Sequence, residues 1–405
     1  MLTVHEAAQQ LQLSPDTIRR WEKKGLIRAQ RSKQNHRLFD LDELQRVQAK
    51  YLGDDRSDEV PWRILKAPTT PYRVIELFAG AGGMAVGFEN AGLNDELLVE
   101  LNSDATDTLR LNRPEWQVVT ADVAEIDFTP YADQIDIVSG GFPCQAFSYA
   151  GLKRGFEDTR GTLFFEFARC VKEVRPKIAL GENVRGLLRH DNGRTLQTIV
   201  AVLEELGYRV EYRLLKAQFH DVPQKRERLI IVGVREDLDI PHIFPEEQDY
   251  FITLRAALAD CPDSLGSSYP PKKHEVLAMV PPGGYWRDLP LEVQKSYMGK
   301  SFFAGGGKTG MARRLSWDEP SLTLTCSPAQ KQTERCHPEE TRPLTIREYA
   351  RVQTFPDEWE FSGSVASQYR QIGNAVPVNL AYHIGRALVT MLDIAEKQKR
   401  IGEID

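Results

Sequence analysis

The chain has 405 residues, of which 41% are hydrophobic, and its formal net charge is −6. This length and composition favour two or three globular domains with a large core. The net charge argues against a protein that coats nucleic acid, although one basic face would still allow contacts with phosphate groups. The sequence has no apolar run of membrane-spanning length and no signal-peptide pattern at its start. The five cysteines form no CxxC pair, which predicts a cytoplasmic protein without a metal site.

Residues 1–52 are predicted to form a separate N-terminal unit. A short amphipathic helix is expected over residues 4–11. A second helix is predicted over residues 15–24, because a Ser-Pro pair marks its start and a glycine marks its end. Residues 1–50 hold ten Lys and Arg against six Asp and Glu, so this unit is locally basic although the chain is acidic.

The N-terminal unit resembles the winged helix-turn-helix of the MerR and excisionase type. The resemblance implies a recognition helix over residues 15–24, a wing over residues 31–37, and binding to double-stranded DNA. It assigns DNA contacts to Arg19, Arg20 and Lys23. The alternative is a small helical packing domain whose charges form a solvated face. Residues 53–70 are polar and acidic, which predicts a linker that couples the unit loosely to the rest of the chain.

A glycine-rich turn follows the first predicted strand of the next unit. The strand covers residues 73–78, the turn reads AGAGG, and a helix is expected over residues 84–91. Glycines in such a turn let the backbone approach a ligand and direct amide groups at it. The next strand, residues 96–100, ends in an acid that suits a ribose diol. The turn alone is weak evidence, because many such turns only pack tightly.

A cysteine after a later predicted strand carries the most specific chemistry. The strand at residues 135–138 ends in a glycine pair, and Cys144 follows directly after Pro143. Another apolar strand, beginning at Ile178, ends at Glu182. The carboxyl ends of parallel strands share one cleft, in which a thiolate can add to an electron-poor carbon while a carboxylic acid bonds the ring nitrogen. Separately, Cys144 would be a small buried hydrophobe and Glu182 a surface carboxylate; together they predict covalent activation of a heteroaromatic ring.

The strings VIELFAGAGG, GGFPCQAFS, GENVRGLL, VPQKRERLIIVG and QIGNAVP, in this order, resemble the bacterial DNA cytosine-5 methyltransferase family. The resemblance implies an α/β fold, a Rossmann-like S-adenosylmethionine-dependent methyltransferase domain formed by residues 71–250 and 342–395. It also implies a target-recognition domain inserted at 251–341 and a tail at 396–405. The cofactor it implies is S-adenosylmethionine, and the substrate is double-stranded DNA.

The same resemblance implies a mechanism. A target cytosine is rotated out of the duplex, the thiolate of Cys144 adds to its carbon 6, Glu182 stabilises the protonated N3, and carbon 5 accepts the methyl group. Arg226 and Arg228 alternate along a strand and so point to the same side. The resemblance places both near the flipped cytosine and its phosphate, whereas the alternative is a salt-bridged strand edge.

Cofactor contacts are implied for the glycine turn, for the ends of the following strands and for the last segment of the chain. The residues are Phe78, Ala79, Gly80, Gly82, Gly83, Glu100, Asp122, Val123, Pro143, Leu163, Asn374 and Val376. For Glu100 and Asp122 the alternative is an ordinary helix cap or surface residue. The last helix is expected to pack back beside the first strand of the domain.

DNA contacts are expected from the polar loop after Cys144 and from the insertion. The loop suits a mobile lid that closes over a bound substrate, with a merely exposed loop as the alternative. In the insertion, six Lys and Arg oppose three Asp and Glu between Ser296 and His337, which suits major-groove binding. The residues are Gln145, Ser148, Arg160, Lys308, Arg313, Arg314, Lys331 and Arg335. Any of the insertion residues could instead belong to a loop scaffold.

Several functions stay open at this point. A transfer-RNA cytosine methyltransferase would share most of these motifs, but the long insertion and the helix-turn-helix favour duplex DNA. A non-catalytic regulator would need only the first 52 residues and no intact Cys-Glu pair. If the enzyme belongs to a restriction-modification system, a cognate endonuclease would act on the same site. The N-terminal unit would then either repress its own operon or add DNA affinity.

Overall fold

The structure, a computed structural model, describes residues 1–11, 13, 17–18, 21–22, 26–27, 29–31, 37–52, 60–143, 163–304 and 310–402. The strands in these ranges are β1 (Leu2–Thr3), β2 (Gln30–Arg31), β3 (Arg37–Phe39), β4 (Arg73–Leu77), β5 (Asn94–Glu100), β6 (Val118–Thr120), β7 (Ile137–Gly140), β8 (Ile178–Val184), β9 (Tyr208–Lys216), β10 (Gln224–Lys225), β11 (Glu227–Arg235) and β12 (Ser321–Leu322). The helices are α1 (Val4–Gln10), α2 (Leu41–Leu52), α3 (Gly83–Ala91), α4 (Ser103–Asn112), α5 (Leu163–Val174), α6 (Arg194–Glu205), α7 (Leu254–Leu258), α8 (Pro271–Ala278), α9 (Leu291–Met298), α10 (Ile346–Val352), α11 (Val365–Asn374) and α12 (Val378–Gly402).

A seven-stranded sheet with the order β6-β5-β4-β7-β8-β11-β9 organises the larger part of the chain. Strands β6, β5, β4, β7 and β8 are parallel, and β11 runs antiparallel to both β8 and β9. The chain first builds β5 and β6 on one side of β4 and then places β7 on its other side. Ligands bind in such sheets at the carboxyl ends of the strands where the order reverses. The expected α/β fold is confirmed.

The last helix packs against the first helix and the first strand of this domain, as expected. Ile384 and Leu388 of α12 share a core cluster with Val74 of β4 and Phe88 of α3. The two helices touch closely at Gly87, where an added Cβ would lie 2.4 Å from the Cβ of Ala381. A glycine is therefore needed where the two helices meet.

Residues 60–70 are bound to the catalytic domain, which differs from the expected free linker. The indole Nε1 of Trp62 donates to the carbonyl of Arg351 at 3.0 Å. The side chain of Asn379 donates to the carbonyl of Arg63 at 2.8 Å and accepts from the amide of Leu65 at 3.2 Å. This half of the segment is therefore not a free linker, because its backbone groups find partners on the catalytic domain. Residues 53–59 lie outside the described ranges, so the loose coupling of the N-terminal unit stays a prediction.

The insertion has a small core of its own. Its buried members are Tyr269, Leu277, Val280, Trp286, Leu289, Met298, Met311, Ala312 and Cys336. A short parallel ladder joins the insertion to the catalytic domain, with Gln224 of β10 opposite Ser321 of β12. The insertion is thus held by main-chain hydrogen bonds close to the start of β11.

The N-terminal unit combines the three-stranded antiparallel sheet β1-β3-β2 with α1 and α2. The N-terminus of α1 has a capping box between Thr3 and Glu6. The expected helix over residues 15–24 is described only at 17–18 and 21–22, which are helical, while α2 was not predicted. The buried core consists of Ala7, Ala8, Leu11, Ile18, Trp21, Ile27, Phe39 and Leu44. Arg19, Arg20 and Lys23 lie outside the described residues.

Three further features concern the described ranges only. Within them, no helix combines the length and the apolar character needed to cross a membrane. No group of three or more His, Cys, Asp or Glu side chains there is placed to hold a metal ion. Four of the five cysteines fall in these ranges, and all four are free thiols.

Candidate active site

A cleft of about 520 Å³ lies at the carboxyl ends of β4, β7 and β8. This is the position that the strand order predicts for a ligand. Most of the residues singled out in the sequence for catalysis or cofactor binding line it together. They are Phe78, Ala79, Gly80, Gly83, Glu100, Pro143, Glu182, Arg226, Arg228, Asn374 and Val376.

The glycine turn forms one wall of the cleft. Phe78 enters the turn with a φ of 60° and Gly80 follows with 54°, the left-handed region that is costly for a residue with a side chain. The amide of Gly80 donates to the Glu100 carboxylate at 2.9 Å, which joins the turn to the end of β5. At Gly83 an added Cβ would lie 2.3 Å from the carbonyl oxygen of Val376, so the turn and the last segment of the chain meet with no room for a side chain.

Glu182 and Arg228 form a buried ion pair on the opposite wall. The Arg228 Nε lies 2.6 Å from the Glu182 carboxylate, and the two residues are 8% and 9% exposed, respectively. In the antiparallel register Glu182 faces Ile230 and Arg228 faces Val184, so the two side chains are diagonal neighbours on one face of the sheet. Arg228 is thus salt-bridged, although not at a strand edge, because β11 lies between β8 and β9. The ion pair orients the Glu182 carboxylate within the cleft, and the contact of Arg228 with a flipped cytosine stays a prediction.

The segment that leads to Cys144 passes beside this carboxylate. An added Cβ on Gly141 would lie 3.3 Å from the Glu182 Oε2 atom. The side chain of Asn183 donates to the carbonyl of Phe142 at 2.8 Å, which ties β8 to the end of β7. Asn183 was not predicted, although its place next to Glu182 is a signal. Cys144 itself lies outside the described residues and follows Pro143, which lines the cleft.

Arg226 is fixed in the protein at the base of the same wall. It is 1% exposed and donates to the carbonyls of Leu324, Gly373 and Asn374 at 3.3, 3.0 and 3.3 Å. Burial lowers the pKa of its guanidinium. Arg226 therefore joins the insertion to the end of α11, and this is its visible role in the described structure.

Glu76 is a buried acid that the sequence analysis missed. It is 1% exposed, lines the cleft, and its Oε2 atom has no hydrogen-bond partner among the described residues. Burial, with smaller effects of the Asp95 and Glu100 carboxylates, raises the pKa of Glu76 well above its usual range. A charged residue inside the apolar strand VIELF was the available signal, because strands buried on both faces are normally apolar throughout.

These groups fit S-adenosylmethionine. The cofactor carries an ammonium and a sulfonium, for which the orphaned oxygen of Glu76 is a suitable buried partner. The glycines of the turn have no side chains that would keep a ligand away from its backbone. Glu100 lies at the end of β5, where a ribose is bound in such sheets. Phe78, Asn374 and Val376 would complete the walls around the cofactor.

Four of the expected cofactor residues do not line the described cleft. Gly82 caps α3, and an added Cβ there would lie 2.7 Å from a methyl group of Leu109, so this glycine serves close packing. Asp122 is exposed and accepts from the amide of Ala124, as a helix cap does. The others are Val123, which is buried in the core, and Leu163, which packs against it.

The structure corrects the expected DNA contacts of Arg314 and Arg335. The guanidinium of Arg314 is buried at 3% exposure and its donors are used by protein oxygens, including the carbonyls of Val280 and Leu277, both at 2.7 Å. Arg335 is 6% exposed and donates to the carbonyls of Thr323 and Glu334. Both predictions are wrong for the protein in this form, because these side chains hold the fold of the insertion.

The remaining DNA-binding predictions stay predictions. Lys331 is exposed, with its ammonium 4.6 Å from the centre of the Tyr297 ring. Arg313 is half-buried over the ring of Tyr285, and burial lowers its pKa. The other residues, Gln145, Ser148, Arg160 and Lys308, lie outside the described ranges.

A doubly wound sheet with a glycine turn and an acid after its second strand is the architecture of α/β proteins that bind a nucleotide-like cofactor at the carboxyl ends of their strands. Comparison with family models identifies C-5 cytosine-specific DNA methylase over residues 72–390 and MerR family regulatory protein over residues 3–39. The chain belongs to the C-5 cytosine-specific DNA methylase family, whose members use S-adenosylmethionine, and carries a MerR-like N-terminal region.

Relatives and solved structures agree with this assignment. The type II methyltransferase M.Eco47II of Escherichia coli is 58% identical over 98% of this chain and 97% of its own length. M.Sau96I of Staphylococcus aureus is 55% identical over 80% of this chain and 76% of its own. Among structures, a prophage-encoded E. coli DNA modification methyltransferase has a TM-score of 0.57 at 24% identity, covering 80% of this chain and 99% of that one. That last likeness shows the fold alone, whereas the sequence relatives make the chain a type II DNA (cytosine-5)-methyltransferase.

Proposed function

We propose that the chain methylates carbon 5 of one cytosine within a short duplex sequence, as the modification enzyme of a restriction-modification system. The observation that carries this proposal is the buried Glu182–Arg228 ion pair, which stands beside the backbone of residues 141–143. The next residue is Cys144. A nucleophile and an acid–base group at the carboxyl ends of two adjacent parallel strands can act on one bound ring.

The proposed chemistry assigns one task to each side chain. A cytosine inside a duplex presents neither ring face, so the base enters the cleft only after it leaves the stack. The thiolate of Cys144 adds to carbon 6, and the Glu182 carboxylate accepts a hydrogen bond from the protonated N3. Arg228 keeps that carboxylate in place, since their side chains are held at 2.6 Å. S-adenosylmethionine, when bound, would supply the electrophilic methyl group. Carbon 5 takes up this methyl group, and loss of the carbon-5 proton then releases the Cys144 thiolate and leaves 5-methylcytosine.

The surrounding residues position the two partners. Phe78 and the glycine turn, with Glu100, Asn374 and Val376, are proposed to hold S-adenosylmethionine. Arg226 joins the cleft wall to the insertion through its three carbonyl partners. Because β10 and β12 fix the insertion beside the same wall, a base sequence bound by the insertion would present its cytosine to this cleft.

The restriction-modification role rests on relatives. M.Eco47II, a type II methyltransferase, matches 98% of this chain, so the match includes the N-terminal unit. A cognate restriction endonuclease that cuts the same unmethylated sequence is the proposed partner. For the N-terminal unit two proposals remain, repression of its own operon and extra affinity for DNA, and both use a helix-turn-helix with basic residues toward the major groove.

Transfer of a labelled methyl group from S-adenosylmethionine to unmethylated genomic DNA tests the enzyme proposal. Wild type should label carbon 5 of cytosines in one short recurring sequence, mapped at base resolution. Cys144→Ser should give no label while still binding cofactor, and Cys261→Ser, a thiol in the insertion, is the matched control that should keep full activity. Label in transfer RNA and not in DNA would contradict the proposal.

The role of the N-terminal unit is tested with the full chain. The double variant Arg19→Ala, Arg20→Ala should lose binding to DNA upstream of its own gene while methylating its target sequence at the wild-type rate, if the unit is a regulator. An equal loss of affinity for upstream and random DNA would support the alternative, in which the unit only adds DNA affinity.

A further inference from the structure

Helix α11 presents one face to the cleft. Ser367, Arg370 and Asn374 lie three or four residues apart, which places them along one side of the helix, and all three line the cleft. The helix is anchored by Gln371, which accepts from the Thr108 hydroxyl at 2.7 Å. Thr108 belongs to α4, the helix that follows Glu100, so this part of α11 stands over the β4–β5 end of the cleft and not over β8.

Arg370 has the only guanidinium in the described cleft lining that is not already engaged. Arg228 is paired with Glu182, and Arg226 donates to three carbonyls. Arg370 is exposed, and in the described ranges its guanidinium is neither hydrogen-bonded nor ion-paired. Its donors are therefore available to an anionic ligand.

We propose that Arg370 binds the carboxylate of the methionine part of S-adenosylmethionine. The cofactor carries two positive groups and one negative group, and the acids Glu76 and Glu100 line the β4–β5 end of the cleft. A carboxylate placed there without a cation would face the Glu100 carboxylate, whereas a guanidinium can donate two parallel hydrogen bonds to it. Arg370 is thus a positioning residue that orients the cofactor along the cleft.

A cycle that combines one variant with one truncated ligand tests this assignment. Calorimetric binding is measured for S-adenosylmethionine and for decarboxylated S-adenosylmethionine, which lacks the carboxylate. Arg370→Gln should weaken binding of the complete cofactor about tenfold, the loss of one exposed charge-assisted contact. The same variant should bind the decarboxylated cofactor with the wild-type Kd. That result also shows that the variant is folded.

Two further variants complete the design. Arg175→Gln is the matched control: it removes an exposed arginine next to the N-terminal end of β8, outside the cleft, and should change neither Kd. Arg370→Lys keeps the charge but not the forked geometry, so it should recover part of the affinity. If Arg370→Gln binds neither ligand, the Arg370→Lys variant decides whether Arg370 contacts the carboxylate: it should bind the complete cofactor more weakly than wild type does and the decarboxylated cofactor with the wild-type Kd.

Several outcomes would overturn the proposal. Equal weakening for both ligands, or no weakening for the complete cofactor, would remove the carboxylate contact. A wild-type Kd for cofactor with weaker DNA binding, and a salt slope reduced by about 0.9, would place Arg370 on a phosphate. Because these measurements need no methyl transfer, they are independent of the roles proposed for Cys144 and Glu182.

Discussion

Replacing Arg314 by alanine separates a structural arginine from a DNA-contacting one. Its guanidinium donates to six acceptors, which are the carbonyls of residues 277, 280, 337, 338 and 340 and the hydroxyl of Thr341. The side chain is buried, so its removal leaves several carbonyls without a partner. Each unsatisfied buried group costs about 1–3 kcal/mol, so the loss of several partners at once should cost about 3 kcal/mol or more.

The assay is thermal unfolding of the full chain together with DNA binding at several salt concentrations. A loss of about 3 kcal/mol should lower the unfolding midpoint of a chain of this length by roughly 4 °C. The salt dependence of the remaining DNA binding should keep its wild-type slope. Lys331→Ala is the matched control, because this lysine is exposed, and its unfolding midpoint should stay near that of wild type.

The opposite pattern would refute the structural role. If Arg314→Ala unfolded at the wild-type temperature and the slope of log K against log salt fell by about 0.9, the arginine would contact a phosphate. Arg314→Lys sharpens the contrast, because a single ammonium cannot reach all the acceptors that are arranged around the edge of the planar guanidinium. It should destabilise the insertion nearly as much as alanine does.

Three further predictions concern the catalytic domain. Gly87→Ala should destabilise the fold by about 1–3 kcal/mol, because the added methyl group would lie 2.4 Å from Ala381; Gly186→Ala, with its nearest neighbour at 3.7 Å, should leave the unfolding midpoint unchanged. The pKa of Glu76 is higher in the folded protein than its usual 4.5, because burial favours the protonated form. The stability that protonated Glu76 contributes is therefore complete below pH 4.5 and is lost as the pH rises through the pKa of the folded protein. Glu76→Gln should therefore raise the unfolding midpoint of the cofactor-free protein at neutral and alkaline pH, yet weaken cofactor binding; a lower midpoint there would contradict the sign. Arg228→Ala should reduce single-turnover methyl transfer at least about tenfold with the cofactor Kd unchanged, and an unaltered rate would exclude a role for Arg228 in orienting Glu182.

Local signals accounted for the elements around the cleft. The sequence predicted β4, β5, β7 and β8 within a few residues of their observed bounds, from apolar runs in the case of β7 and β8. Glycines and adjacent acids then marked the carboxyl ends of these strands. Most of the predicted cleft residues meet for this reason, since parallel strands in one sheet end at one edge.

Two adjacent arginines of the insertion show that the sequence was not sufficient to predict the role of each side chain. Arg313 and Arg314 are adjacent in a basic stretch and were given the same role, but one lies over the Tyr285 ring and the other is enclosed by main-chain carbonyls. Composition indicates that a segment is basic, but it does not show which side chains point into a core built from distant residues. That core forms only when the segments around residues 280, 314 and 337 come together.

By itself the sequence determined the class of fold and the places of its central strands along the chain, and it predicted the pair Cys144 and Glu182, because periodicity, turn glycines and a reactive pair after two strands are properties of short segments. Only the tertiary structure decided that Arg226 and Arg314 are enclosed and that, among the residues it describes, Glu76 is buried without a hydrogen-bond partner and Arg370 is unpaired at the cleft. The physical reason is that burial and pairing depend on which faces of distant elements meet. In this chain, helix α11 begins more than 260 residues after α4 begins, and the cleft is completed only when α11 packs on α4 through Gln371 and Thr108.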